Sequence, residues 1–489
     1  MRCRRKFHRK GDPSARQEAE NSMVFSSAEF LFLYFPIALL IYFICPRKVR
    51  NIWLLVISLV FYGWGEAKLV FLMVFTIIID YIFGYLVDRY RENKKRSKLF
   101  LILAVVVNLT ILGFFKYYDF ICGTLNHIPG VNLPLLGLPL PIGISFYTFQ
   151  ALSYVIDVYR DDAKVQKNIA SFGTYVTLFP QLIAGPIVRY KDIDRQLRDR
   201  TERVSLFASG VRTFVCGLGK KMILANVVGQ IWETYRAVPL DQRTVVGSWI
   251  GIIAFSFQLY FDFSAYSDMA IGIGKMFGFT FLENFNYPYI AASITEFWRR
   301  WHISLSTWFR DNVYFPLGGS RKGKFKTYRN LLIVWLLTGI WHGASWNFVL
   351  WGVYYGVILM LEKGFLLKAL EKVPSAVRHF YTLFLVLFGW LLFAFDDMGA
   401  GFVYLGNMFG AGSSAFVSQA DIYCLIRNLL FFIILGIAST PLPKKLFYRL
   451  YFASKRFRYA VPVGTLLLLT VSTALVVNSG FNPFLYFRF

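Results

Sequence analysis

Charged side chains are scarce in this sequence. Of its 489 residues, 17% are Asp, Glu, Lys or Arg, whereas a soluble globular chain carries about 25%. Hydrophobic residues make up 56% of the chain and aromatic residues 19%. Long uncharged apolar runs recur along most of its length, and such runs are typical of membrane spans. We therefore expect an all-α polytopic membrane protein whose main partner is the lipid bilayer.

Cysteine is also rare, and its spacing excludes several kinds of site. The five cysteines are too far apart in the sequence to form the close pairs of a zinc or redox motif; they are Cys3, Cys45, Cys122, Cys216 and Cys424. The sequence has no Walker A or dinucleotide fingerprint. We therefore expect no metal site and no bound cofactor.

Acidic residues are outnumbered by basic ones, 28 to 53, which gives a net charge of +25. In a soluble protein this excess would suggest nucleic acid as a partner. In a membrane protein, basic cytoplasmic loops explain it better, so we expect no nucleic-acid binding. Five basic clusters then mark the cytoplasmic side: 46–50, 88–98, 188–203, 320–329 and 444–458.

The basic clusters predict the path of the chain through the membrane. The first span, 24–45, runs inward, and 51–87 forms two helices that return to the cytoplasm. A further span leads to an external loop at 116–134, and 135–158 comes back inward. The last span, 459–478, leaves the cytoplasm and would place the C-terminal tail outside.

Residues 1–22 conflict with this topology. They are strongly basic and precede the first span, whose other flank carries the basic cluster PRKVR. Both flanks of one span cannot be cytoplasmic. We expect translation to start at Met23, which leaves 1–22 as a start-site artefact or a disordered basic leader, and 23–489 as a single transmembrane domain.

Two segments in the middle of the chain do not have the pattern of simple spans. Residues 169–187 contain FPQLIAGP, whose prolines and glycine would break a straight helix, so we expect a re-entrant hairpin buried in protein. Residues 284–319 are too charged to span and too aromatic to form a free loop. For these we expect amphipathic helices at the interface, or helices that dip into the core.

Two of the five histidines lie among tryptophans. His342 is near the middle of 330–361, a stretch without Lys, Arg, Asp or Glu that we interpret as a membrane span. A titratable group in a span is costly and often functional. His302 lies in EFWRRWHISLSTWFR. From the residues alone, a structural hydrogen bond explains His342 as well as a catalytic role does, and structural roles are also common for a histidine placed like His302.

Four sequence blocks go beyond composition. They are FPQLIAGPIVRY (179–190), YFDFSAYSDMAIGIGKMFGF (260–279), NFNYPYIAASITEFWRRWHISLSTWFRDNVYFPLGGSRKG (284–323) and LTGIWHGASWNFVLWGVYYG (337–356). Through these blocks, the chain from Met23 to Phe489 resembles the membrane-bound O-acyltransferase (MBOAT) family, and in particular its bacterial branch of alginate and peptidoglycan O-acetyltransferases. The resemblance implies about eleven or twelve transmembrane helices, with re-entrant and interfacial helices, around a central tunnel.

The resemblance also implies which residues act. His342, in the WHG element, would be the catalytic base that takes a proton from an acceptor hydroxyl. His302 would orient the acyl group, donate to the developing oxyanion, or tune its partner. Trp341 and Trp346 would shield the site from water. Further pocket candidates are Trp298, Trp301, Asn347 and Asp262, and for Asp262 an ion pair with an interior Lys or Arg is equally consistent.

For function, the resemblance implies an acyltransferase of the bacterial cell membrane. It would pass an acetyl group from a cytoplasmic thioester donor, acetyl-CoA or an acyl-carrier protein, toward hydroxyls of a cell-surface polysaccharide. An extracytoplasmic SGNH-type transferase is the expected partner. One alternative is D-alanyl transfer to teichoic acid-type polymers. Another is a transporter with a histidine proton relay, although the sequence shows no internal repeat of the kind transporters have.

The C-terminal tail ends in FNPFLYFRF. It resembles the tail of the small single-span partner of the D-alanylation system, whose tyrosine is thought to carry the acyl group. The resemblance implies Tyr486 as a possible acyl carrier. An aromatic anchor at the membrane interface is the alternative interpretation.

Overall fold

The computed structural model describes residues 23–183, 185–478 and 481–483. Within this part of the chain the secondary structure is helical, and it contains no β-strand. Helices satisfy the hydrogen bonds of their own backbone, which a chain in the hydrocarbon layer requires. The prediction of an all-α fold is confirmed.

The first compact unit comprises residues 23–183 and 189–200. It begins with a π-helical turn, Phe30–Tyr34. Its α-helices are α1 (Phe35–Ile44), α2 (Arg50–Glu66), α3 (Val70–Arg89), α4 (Lys94–Leu125), α5 (Ile144–Arg160), α6 (Ile169–Thr177), α7 (Phe179–Leu182) and α8 (Tyr190–Arg198).

The second compact unit comprises residues 185–188, 201–478 and 481–483. Its α-helices are α9 (Val204–Gly219), α10 (Asn226–Ala237), α11 (Val245–Met276), α12 (Ile294–Arg300), α13 (Ile303–Phe309), α14 (Lys324–His342), α15 (Trp346–Leu361), α16 (Leu367–Leu370), α17 (Ser375–Ala394), α18 (Met398–Met408), α19 (Gln419–Ala438), α20 (Leu442–Ala453) and α21 (Lys455–Asn478). π-Helical turns lie at Lys220–Ala225, Arg310–Tyr314 and Glu362–Leu366, and 3₁₀ turns at Leu240–Gln242 and Pro288–Ile290.

Eight helices of the described part are long and apolar enough to cross a membrane. They are Val70–Arg89, Lys94–Leu125, Val204–Ala237, Val245–Met276, Trp346–Leu370, Ser375–Ala394, Gln419–Ala438 and Lys455–Asn478. The segment Phe30–Ile44 is a shorter apolar helix. The prediction of a polytopic membrane protein is therefore confirmed.

The predicted external loop at 116–134 is partly wrong. Helix α4 continues to Leu125, so the loop begins about ten residues later than expected. Lys116, the first residue of the predicted loop, is buried, and its Nζ donates a hydrogen bond to Ser145 Oγ at 3.2 Å. A lysine with such a partner does not end a helix, and the sequence alone does not show the partner.

The two unusual middle segments are buried in protein. Helices α6 and α7 are short, with a break at Leu178, and residues 171–183 are all buried. In 284–319, helices α12 and α13 bury their apolar side chains, including Trp298 and Trp308. Of the two alternatives for that segment, helices that dip into the core describe it better than helices on the interface.

Candidate active site

The stretch 330–361 is not one membrane span. Helix α14 ends at His342, the backbone is extended at Gly343, and α15 begins at Trp346. The two helices form an antiparallel hairpin, and the sequence prediction of a single span is wrong here. Because His342 is the last residue of its helix, its imidazole lies at a helix break and not within a continuous helix.

Glycines permit the close approach of these two helices. A Cβ added at Gly339 would lie 2.3 Å from the carbonyl oxygen of Phe348, and one at Gly352 would lie 2.4 Å from the carbonyl oxygen of Trp335. At Gly343, an added Cβ would lie 2.2 Å from the Phe348 ring. Larger residues at these positions would separate the backbones that position His342.

Aromatic rings surround His342, which is only 7% exposed. Its ring centroid lies 5.0 Å from that of Trp351 on α15, 5.3 Å from that of Phe393 on α17, and 5.0 Å from that of Trp341. These rings exclude bulk water from the imidazole. Of the two residues predicted to shield the site, Trp341 is buried and Trp346 is 54% exposed, and Trp351 lies against His342.

His302 lies in the same cluster of rings. It precedes α13 in the left-handed conformation, with φ 45° and ψ 55°, and is 1% exposed. This conformation costs a non-glycine residue about 1–2 kcal/mol. Its ring centroid lies 4.7 Å from that of Phe263 on α11 and 6.1 Å from that of Trp341. The structure thus brings both predicted histidines against the ring of Trp341.

Asn284 fixes the protonation of the His302 ring. Its Oδ1 accepts hydrogen bonds from the Ser304 backbone N–H at 3.1 Å and from Ser304 Oγ at 2.9 Å, and it lies 3.2 Å from His302 Nδ1. A backbone N–H can only donate, so the amide atom facing it is the oxygen. Nδ1 must then carry the proton, which leaves Nε2 as the basic nitrogen.

Burial keeps this ring neutral. His302 lies outside the eight helices that are able to span the membrane, and burial lowers the pKa of its imidazole to about 3. At pH 7 the Nδ1–H tautomer therefore has a lone pair at Nε2 and no proton there. Such a ring can accept a proton or orient a donor group, but it cannot donate to an oxyanion from Nε2.

The other predicted pocket residues have different positions. Trp298 contacts Trp351, with ring centroids 5.4 Å apart, so it is one ring removed from His342. Trp301 packs on Trp390, with ring centroids 4.7 Å apart. Asn347 donates from Nδ2 to the carbonyl oxygen of Leu392 at 3.2 Å, which ties α15 to α17 next to Phe393.

Asp262 pairs with a lysine, the alternative that the sequence left open. Lys221 Nζ lies 2.7 Å from Asp262 Oδ1, and both side chains are 3% exposed. The next residue on α11, Phe263, is the one that packs on His302. Sequence reasoning missed Lys221, although a lysine pair inside the apolar run 204–237 was an available signal.

The beginning of the C-terminal tail contacts this ion pair. Lys221 Nζ donates to the carbonyl oxygen of Pro483, and Asn226 Nδ2 lies 3.3 Å from Asn482 Oδ1. Residues 481–483 therefore lie against a helix, although the sequence placed the whole tail outside. Tyr486 lies outside the described residues.

Neither histidine lines the large cavity found elsewhere in the second unit. That cavity has a volume of about 610 Å³ and is lined by α10, α19 and the loop between α10 and α11, including Arg243 and Asp421. Among the residues that the structure describes, no group of three His, Cys, Asp or Glu side chains is placed to hold a metal ion.

A pair of buried histidines in a polytopic membrane protein suits acyl transfer, and sequence comparison identifies the class. Residues 56–395 match the membrane-bound O-acyltransferase family. The chain belongs to this family, as predicted. It is therefore a multi-pass membrane O-acyltransferase and not a transporter.

Several relatives are similar over long stretches. The chain is 38% identical to the probable alginate O-acetylase of Azotobacter vinelandii, over 96% of this chain and 100% of that protein. It is 30% identical to the peptidoglycan O-acetyltransferase of Helicobacter pylori, over 96% and 98% respectively. The teichoic acid D-alanyltransferase of Streptococcus thermophilus is 28% identical, over 69% of this chain and 83% of that protein.

Proposed function

We propose that this O-acyltransferase moves an acetyl group from a cytoplasmic thioester donor across the bacterial cell membrane, toward hydroxyls of a cell-surface polysaccharide. The observation that supports this most directly is that His342 and His302 are both buried and both pack against Trp341. Acetyl is favoured over D-alanyl because the similarity to the two acetylating relatives is higher and covers nearly the whole chain.

In the proposed reaction His342 is the general base. An acceptor hydroxyl attacks the thioester carbonyl, a C–O bond forms, and the C–S bond breaks. His342 takes the hydroxyl proton and passes it to the leaving sulfur. The aromatic rings around it would keep water from hydrolysing the acyl group. No other titratable group is needed to balance the protons.

The sequence left three roles open for His302: orienting the acyl group, donating to the oxyanion, or tuning its partner. The position of its proton argues against the second role. With the proton on Nδ1, it cannot supply an oxyanion with a hydrogen bond from Nε2. We assign it to orienting the acyl donor, an N–H or O–H of which would donate to Nε2, because the one proton of the attacking hydroxyl goes to His342. This assignment depends on Asn284, because the Asn284 oxygen determines which nitrogen carries the proton.

Asn284→Asp tests this dependence. The carboxylate keeps the acceptor for Ser304 but places a negative charge beside Nδ1, which raises the pKa of His302 by about 1–3 units. The variant's imidazolium then forms near pH 4–6 instead of near pH 3, so activity relative to the wild type should fall as pH is lowered from 8 to about 4. Asn286→Asp, an exposed position in the same block, is the control. A relative activity independent of pH would contradict the assignment.

The donor and the partner follow from the direction of transfer. The basic clusters place 320–329 on the cytoplasmic side, where lysines and arginines would attract the phosphates of acetyl-CoA or of the prosthetic group of an acyl-carrier protein. On the other side, an SGNH-type transferase would receive the acetyl group. Both the donor and the transferase are parts of the proposal and rest on the family resemblance.

The test of the function is the O-acetyl ester content of cell-surface polysaccharides. In a deletion strain we expect the esters to be lost, and wild-type complementation to restore them. Unchanged ester content, in a strain without a second such enzyme, would exclude polysaccharide acetylation. Measuring D-alanyl esters in the same samples would then decide whether that alternative takes its place.

We also propose that Tyr486 carries the acetyl group between the two sides. Its phenol oxygen would attack the thioester carbonyl and give its proton to His342; the C–S bond then breaks, and His342 passes the proton to the leaving sulfur. The acetyl group would stay on the tyrosine as an ester until the partner removes it. The contacts of residues 481–483 with Lys221 and Asn226 support this, because they bring the tail into the second unit. Tyr486→Phe removes one oxygen and should abolish transfer, whereas Phe487→Tyr should not. Normal ester content in Tyr486→Phe would exclude the carrier role.

A further inference from the structure

An ion pair lies in the interior of two long apolar helices. Lys221 is near the middle of the span Val204–Ala237, and Asp262 is near the middle of Val245–Met276. Their charged atoms are 2.7 Å apart, and both side chains are 3% exposed. The desolvation free energy of two buried charges offsets much of their mutual attraction, so a buried ion pair is weak evidence for a role in stability. Charges inside a membrane span more often mark function.

The local backbone also departs from a regular helix at this point. Lys221 lies in the π-helical turn Lys220–Ala225, between α9 and α10. Such single π-helical turns are uncommon and frequently occur at functional sites. The turn and the ion pair are two separate observations on the same residue.

Three consecutive residues of the C-terminal segment contact this helix. The Phe481 ring lies 3.2 Å from the position of a Cβ on Gly229, Asn482 contacts Asn226, and the Pro483 carbonyl accepts from Lys221. As the tail advances, its partners move backward along the helix from Gly229 to Lys221. The tail therefore runs antiparallel to α9–α10, over a rise of about 12 Å.

The antiparallel direction of the tail determines how it runs across the membrane. The basic cluster 188–203 precedes α9, so α9–α10 runs from the cytoplasm outward. A segment antiparallel to it runs from outside inward. Helix α21 follows the basic cluster 444–458 and also runs outward, so residues 481–483 run opposite to α21, and Pro483 reaches the middle of the span at Lys221.

The docking point is close to the histidine cluster. Asp262, which holds Lys221, is followed by Phe263, whose ring centroid lies 4.7 Å from that of His302. The residue that pairs with Lys221 and the residue that packs on His302 are therefore neighbours on α11.

We propose that Lys221, held by Asp262, is a positioning residue that binds the re-entrant C-terminal segment beside the histidine cluster. Asn226 and Gly229 form the rest of this docking site. The Lys221 ammonium donates to a backbone carbonyl oxygen. The contact therefore does not depend on the side chain of residue 483. The inference rests on the proposed function only in assigning Tyr486 as the group that is delivered; the docking itself requires no acyl transfer.

Cross-linking tests the docking without any activity. In a background with the native cysteines replaced by serine or alanine, Asn226→Cys and Asn482→Cys should react together with a short bifunctional thiol reagent in intact membranes. Val227→Cys with Asn482→Cys is the control, because Val227 lines the cavity on another face of α10. Equal yields for the two pairs, or no product when Asn226→Cys is combined with Asn482→Cys, would overturn the docking.

The role of Lys221 is tested in the same background. Lys221→Met should slow cross-linking by about tenfold or more, since a charge-assisted hydrogen bond is lost. The adjacent Lys220 pairs with Asp268 at 2.5 Å and has no contact with the tail among the described residues, so Lys220→Met should leave the rate unchanged. The double variant Lys221→Met with Asp262→Asn, which leaves no unpaired buried charge, should behave like Lys221→Met. A wild-type rate in that double variant would overturn the proposal.

Ester formation then separates the two proposals. We expect Lys221→Met to lose transfer in parallel with the lost cross-link, with Lys220→Met active. If cross-linking depends on Lys221 but Tyr486→Phe is fully active, the docking holds and the carrier role fails. If Lys221→Met retains full transfer although its cross-link is lost, Lys221 is not a positioning residue for the reaction, and this inference is overturned.

Discussion

His342→Ala should give a protein that inserts and folds but forms esters about 10²–10⁴-fold more slowly, because proton transfer by a positioned side chain contributes about that much to a rate. The loss of packing is small by comparison. The imidazole sits at the end of α14, where its removal deletes no intrahelical hydrogen bond of the backbone. The remaining rings, Trp351 and Phe393, still pack on each other with centroids 5.8 Å apart.

The measurement is ester formation by equal amounts of folded protein in membranes, with folding checked by the elution of the detergent-solubilised protein. His379→Ala is the matched control. His379 is also an imidazole on a membrane helix, where Nδ1 lies 3.1 Å from the carbonyl oxygen of Ala291, but it is not part of the ring cluster. If His342→Ala and His379→Ala have equal rates, His342 is not the base, and His302 becomes the next candidate.

Sequence reasoning found the class of protein and the two histidines. Composition and basic clusters predicted the all-α membrane class, and the WHG and RRWH elements identified the two histidines that the structure brings to one tryptophan. These signals are local or additive. Each depends on residues next to one another or on totals along the chain, so no knowledge of the packing was needed.

Features that depend on distant partners were missed. Asn284 lies 18 positions from His302, and Lys221 lies far from both Asp262 and Pro483, so only the folded chain shows that they meet. The helix break after His342 was missed for another reason. Hydropathy averages over a window, and a stretch of two helices joined by GAS is as apolar as one span.

The hairpin that contains this break depends on a close contact between the backbones of α14 and α15. The hairpin of α14 and α15 is held together where Gly352 meets Trp335: a Cβ on Gly352 would lie 2.4 Å from the Trp335 carbonyl oxygen and 3.3 Å from the Cα of Gly339. Both are backbone atoms, which cannot rotate away. Gly352→Ala must therefore separate the two helices, at a cost of about 1–3 kcal/mol from overpacking.

The separation should also reduce activity more than stability. His342 ends α14, and Trp351, one residue before Gly352, lies against its ring. A shift of the two helices thus moves the base relative to its surroundings, and small misplacements of a catalytic group lower the rate strongly, by about 10²-fold for 1 Å. We expect Gly352→Ala to lose most transfer while part of the protein remains folded, as measured by thermal unfolding in detergent and by ester formation.

Gly356→Ala, one turn further along α15, is the control that distinguishes this from a general effect of glycine in a helix. Its nearest neighbour would be Leu332 Cδ1 at 3.3 Å, the end of a flexible side chain that is able to move. Alanine is also the better helix former, by about 1 kcal/mol. Gly356→Ala should therefore be as stable as the wild type or more so, and active. If Gly352→Ala matches it in both measurements, the backbone contact between α14 and α15 does not position His342.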